Sequence, residues 1–153
     1  MKQPLQQSNG RLQGVPGQCT EPPYVILLMD DEESILDSYG KLLVMKGFDV
    51  YTACNGEQAI DTYKQVLSSD RRVDVSVIDL TIPDGMGGIE TVARIKEIDP
   101  DVRAIATTGH YQDCLTDDYK KNGFVGILPK PYLLKELLEA IDRVIMMETH
   151  YPE

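Results

Sequence analysis

A chain of 153 residues with 15 Lys and Arg against 25 Asp and Glu, a formal charge of −10, is long enough for one domain with a layered core and lacks the basic footprint of direct nucleic-acid binding. No apolar run approaches the ~18 residues of a membrane span, and the N-terminal "MKQPLQQSNG" has no apolar core of a secretion signal, which points to a cytoplasmic protein without membrane insertion. Cys19, Cys54 and Cys114 contain no C-x-x-C pair, and His110 and His150 are the only histidines, which argues against a disulfide framework, a zinc site or a histidine metal centre.

Residues 1–23, rich in Gln, Gly and Pro, read as a flexible leader or linker. From Tyr24 the texture changes. A first apolar run, 25–29, leads into a helical stripe of Ile35, Tyr39, Leu42 and Leu43 that stops at Lys46 and Gly47. A second run, 50–53, precedes the stripe Ala59, Ile60, Tyr63, Val66 and Leu67. A third, 73–78, precedes a weaker stripe of Ile89, Val92, Ala93 and Lys96 that breaks at Asp99 and Pro100. After the fourth run, 102–106, the stretch 111–121 is polar and acidic and carries the faintest helical pattern. The fifth run, 124–128, is followed by Pro131, read as the start of a helix bearing Leu134, Leu137, Leu138, Ile141, Val144 and Ile145. Most of the runs are too continuously apolar to have a wet face, as strands covered on both sides are. Five strands alternating with five helices predict an α/β fold, a parallel sheet with helices on both faces.

In such a fold ligands bind beyond the carboxyl ends of the strands. The unusual polar residues all fall there. Asp30 and Asp31 follow the first run in "VILLMDDEES", Asp79 ends the third in "VDVSVIDLTIPDGMGG", Thr107 and Thr108 end the fourth in "AIATTGH", and Lys130 follows the fifth in "ILPKPY". Two carboxylates about 4 Å apart repel by roughly 4 kcal/mol at the effective dielectric of a protein surface. Three of them converging make a hard-oxygen environment suited to Mg2+ or Mn2+, which would relieve that repulsion. A carboxylate can also act as a nucleophile and form an acyl-phosphate; Asp79, alone on the central strand, is the candidate, with Lys130 as a compact positive charge and a Thr hydroxyl as donor. Taken singly, each residue has a plainer reading. The acids at 30–33 suit a helix N-terminus, Asp79 suits a turn, Thr108 a strand exit and His110 a solvated loop. The joint placement favours the functional reading.

These residues resemble the receiver domain of two-component signalling, found in response regulators and hybrid histidine kinases. The acidic pair after the first strand, the phosphoacceptor Asp after the third, the Thr before a small residue after the fourth and the Lys-Pro after the fifth correspond to Asp30 and Asp31, Asp79, Thr108 with Gly109, and Lys130 with Pro131. Thr107 is the alternative to Thr108. The resemblance covers 24–148, leaving 149–153 as a tail, and "DLTIPDGMGGIE" is similar to the family's loop after the phosphoacceptor. It implies a flavodoxin-like doubly wound (βα)5 fold with strand order 2-1-3-4-5. It also implies Mg2+ (or Mn2+) held by Asp30, Asp31, Asp79 and the Thr81 backbone carbonyl, with Thr81 and His110 flanking the phosphoryl group. The implied partners are a sensor histidine kinase or a histidine phosphotransfer protein and a downstream protein. The chain would act as a signalling phosphoacceptor, not as an enzyme turning over a substrate, whether stand-alone or part of a hybrid kinase. The Lys130-Pro131 bond is implied to be cis. Ile127 stands where many receivers carry an aromatic that responds to phosphorylation. Glu32 and Glu33 are read as charge at the start of the first helix. Two other readings are a haloacid-dehalogenase-like phosphatase, whose D-x-D is not matched by Asp79-Leu80-Thr81, and a receiver-like scaffold that works without phosphorylation.

Overall fold

The structure is a computed structural model that describes residues 23–83 and 85–149. Nearly all of the leader assigned to 1–23 and of the tail assigned to 149–153 lies outside the described residues. In chain order the elements are β1 (Val25–Met29), α1 (Glu33–Met45), β2 (Asp49–Ala53), α2 (Gly56–Ser68), β3 (Val75–Asp79), α3 (Gly88–Ile98), β4 (Ala104–Thr108), a 3-10 turn (Tyr111–Cys114), α4 (Asp118–Lys121), β5 (Gly126–Pro129) and α5 (Leu134–Thr149). The strands form one parallel sheet in the order β2-β1-β3-β4-β5, the predicted flavodoxin-like arrangement.

Each strand feeds both faces because its side chains alternate. Ile26 and Leu28 of β1 pack with Leu36 and Leu43 of α1 and Leu137 and Ile141 of α5. Val25, Leu27 and Met29 of the same strand pack with Ala59 and Tyr63 of α2 and Val92 and Ile95 of α3. This two-sided burial explains why the runs are continuously apolar. Among the described residues no helix is long and apolar enough to cross a membrane.

Register brings the polar ends level. Met29 is paired with Ala53 and with Ile78, Asp79 with Thr107, and Thr108 with Pro129. The residues that leave β1, β3, β4 and β5 therefore emerge on one rim. Gly88 lets α3 start against the end of β3, since a Cβ there would lie 2.4 Å from the Asp79 carbonyl oxygen. Gly47, with φ near 100°, supplies the left-handed residue just beyond α1.

Several sequence expectations shift. The apolar runs at 73–78 and 102–106 begin before their strands, because Val73 and Val102 are buried yet lie outside β3 and β4. Pro131 does not open the last helix. The Lys130-Pro131 bond is cis, as the resemblance implied, and α5 begins at Leu134. There the Glu136 carboxylate accepts the Leu133 N–H at 2.8 Å, a side chain of the first turn reaching back to the helix start. The stretch 111–121 forms only the 3-10 turn and a single turn of α4, neither of which contains a buried residue.

Candidate functional site

The rim is built first by the way the chain leaves β1. The Asp30 N–H extends the pairing by donating to the Ala53 carbonyl at 3.1 Å, and the Asp30 carboxylate accepts the Glu32 N–H at 2.9 Å. That local bond turns the backbone into α1, with Asp30 buried and Asp31 exposed. At the end of β3, Asp79 Oδ1 accepts the Thr81 N–H at 3.0 Å in the same kind of turn. From β5, Lys130 is aimed inward by its own backbone N–H, which donates to the Thr108 carbonyl at 2.7 Å.

Lys130 Nζ lies 2.9 Å from Asp30 Oδ2 and 3.0 Å from Asp79 Oδ2. One oxygen each from Asp30, Asp31 and Asp79 lies within 4.8 Å of the others. A donor set made wholly of carboxylate oxygens suits a small hard divalent cation. Asp30, Asp31, Asp79 and Lys130 are thus brought together as the sequence predicted. Thr108 is buried and tied to Lys130 through the backbone, but its hydroxyl donates to Asp113 Oδ2 at 2.7 Å. Thr107 is also buried, and its carbonyl accepts the Leu80 N–H. Thr81 and His110 are exposed; their backbone N–H groups donate to Asp79 and Thr108 respectively.

The charges are unequal, and the acidities reflect it. Burial raises the pKa of the Asp79 carboxyl from its usual 3.8; the Thr81 N–H and Lys130 oppose that, and the Asp30 charge adds to it. Burial alone would lower the Lys130 pKa, but hydrogen bonds and charge from Asp30 and Asp79 outweigh it and the net shift is upward. The two directions are compatible because one ammonium is shared by two buried acids. Lys130 is doubly satisfied, whereas Asp79 has only part of a counter-ion.

Sequence reasoning missed three features. Glu32, read only as helix-terminal charge, also lies 3.8 Å from Lys130 Nζ. The run of four acids was the only hint. Asp113 carried no spacing signal as the partner of Thr108. Tyr39 of α1 donates its hydroxyl to the Tyr132 carbonyl, with the two rings 5.0 Å apart, closing α1 over the segment after Lys130.

A doubly wound sheet in this order, with buried carboxylates and a lysine at its carboxyl rim, defines a flavodoxin-like protein with a charged strand-end site. More narrowly, the chain belongs to the response regulator receiver domain family, whose model matches residues 26–142, and so to two-component signalling. It is 28% identical over 125 residues to sporulation initiation phosphotransferase F of Bacillus subtilis, covering 82% of this chain and 96% of that protein. It is 31% identical over 121 residues to the chemotaxis protein CheY of the same organism, covering 78% and 96%. A solved CheX-CheY-BeF3-Mg complex from Borrelia burgdorferi contains a chain 26% identical to this one, with a TM-score of 0.71 and coverage of 80% of this chain and 89% of that one.

Proposed function

We propose that this receiver, residues 24–148, takes a phosphoryl group from a phosphohistidine of a sensor kinase or phosphotransfer protein onto Asp79 in a divalent-metal-dependent reaction, and signals by changing its surface. The observation that carries this reading is the Asp79 carboxylate, buried at the end of β3 with the Lys130 ammonium 3.0 Å away and the Asp30 and Asp31 carboxylates beside it. Asp30, Asp31, Asp79 and the Thr81 backbone carbonyl would hold Mg2+ or Mn2+. When bound, the cation supplies positive charge that offsets both the crowded acids and the incoming phosphoryl oxygens.

An Asp79 oxygen forms the new O–P bond as the N–P bond of the phosphohistidine breaks, and the imidazole leaves with that electron pair. Lys130 exchanges part of its contact with Asp79 for a phosphoryl oxygen, and the Thr108 hydroxyl donates to another. Thr81 and His110, at the open side, flank the group and influence water access. A kinase or phosphotransfer protein as donor, a downstream protein as target and a cytoplasmic setting follow from this reading.

Incubation of the purified protein with acetyl phosphate and Mg2+ should add one phosphoryl mass, and Asp79→Asn should abolish the addition. Undiminished labelling of that variant would overturn the assignment. So would steady turnover of a phosphate ester, the mark of a phosphatase.

A further inference from the structure

The Thr108 hydroxyl has a single proton, and in this structure that proton is committed. It goes to Asp113 Oδ2 at 2.7 Å, while the oxygen accepts the His110 N–H at 3.0 Å. Asp113 lies in the 3-10 turn, which is fastened by its own N–H to the His110 carbonyl and by the Leu115 N–H to the Gln112 carbonyl, each at 3.0 Å. Among the described residues, the half-buried Asp113 carboxylate has no hydrogen-bond or ion-pair partner besides the Thr108 hydroxyl. A bond to an ionised acceptor is among the stronger hydrogen bonds.

We propose that Asp113 is a positioning residue that competes with the phosphoryl group for the Thr108 proton, so that phosphorylation is opposed by this latch and releases the 3-10 turn when it prevails. This rests on the phosphoacceptor reading of Asp79. In the unmodified protein the bond from Thr108 to Asp113 closes the loop from the end of β4 to the turn. Tyr111 and Leu115, which flank Asp113 in sequence, are 65% and 64% exposed. Turning the Thr108 hydroxyl so that it donates to a phosphoryl oxygen takes its hydrogen bond from Asp113 and frees the segment that carries these two side chains. In the single turn of α4 that follows, no residue is fully buried, and Tyr119 packs partly buried against the core.

The test uses beryllofluoride with Mg2+ as a non-covalent stand-in for the phosphoryl group, its binding followed by fluorine NMR on the full chain. Asp113→Ala should bind it about tenfold more tightly than the wild type, with Asp113→Asn in between because the amide still accepts but carries no charge. In a Thr108→Val background, Asp113→Ala should produce no gain. A gain that persists in that background would be a through-space effect of removing a negative charge and would overturn the inference. An Asp113→Ala affinity equal to or weaker than that of the wild type would also overturn it, while leaving the phosphoacceptor reading standing. Failure of the wild type to bind the probe at any Mg2+ concentration, together with no labelling by acetyl phosphate, would overturn both.

Discussion

The two rims of the sheet carry buried acids, yet they treat them oppositely. At the amino rim, the first residue of β2, Asp49, pairs with Arg71, and Asp74, just before β3, faces Arg72 at 3.7 Å and accepts the Val25 N–H at 2.7 Å. Two arginines answer two acids. At the carboxyl rim, Asp30, Asp79 and Glu32 share one cation among the described residues, Lys130, and Asp31 adds a further charge within reach of Asp30 and Asp79. The first arrangement closes a structural network. The second leaves negative charge unmatched, which is expected where a cation is to be recruited and is costly otherwise.

The largest effect should come from breaking the balanced rim. Arg71→Ala removes the ion pair to the buried Asp49 carboxylate and the bond to the Pro23 carbonyl, and should cost about 3 kcal/mol in urea denaturation. Mg2+ should not restore it. At the unbalanced rim, Mg2+ added to 100 times its dissociation constant should raise the stability of the wild type by about 2.7 kcal/mol, read as a rise in Tm that EDTA reverses.

A smaller, opposite effect is expected of Asp79→Asn without metal. The pKa of Asp79 is raised on folding, so its contribution favours the folded state below the usual value of 3.8 and is lost as pH rises through the folded value. At neutral pH the ionised group therefore opposes folding. Asp79→Asn should raise the metal-free Tm, by about 2–4 °C for each kcal/mol gained in a domain of this size, and the gain should shrink as the pH falls towards 3.8. A metal-free Tm for the variant equal to or below that of the wild type would mean that the rim is better compensated than its charges suggest.

Much of this was legible in the sequence because burial on both sides of a parallel strand leaves an unmistakable apolar run. The run 25–29 coincides with β1. Where runs and strands part, as at Val73 and Val102, hydrophobicity was reporting burial and not pairing. At the other ends the polar Asp79, Thr107 and Thr108, read in the sequence as closing the third and fourth runs, do close β3 and β4, because their backbones are paired. Asp30, Asp31, Asp79 and Lys130 could be nominated because each lies one or two residues beyond a run. What could not be read was the pairing of side chains within the rim. Neither the reach of Glu32 to Lys130 nor the bond from Thr108 to Asp113 follows from periodicity, since both depend on the path of a loop. Pro131 misled for a related reason, since the chain runs on for two more residues before α5 begins at Leu134.

The central claim, that the carboxyl rim keeps its excess acid for a divalent cation, is tested most directly by Mg2+ titration of two variants that each remove one exposed acid from the same short segment. Asp31→Ala should weaken Mg2+ binding by about tenfold or more, while Glu33→Ala, at the first turn of α1, should change it by less than about twofold. Equal losses in the two variants, or unaltered binding in Asp31→Ala, would contradict the account.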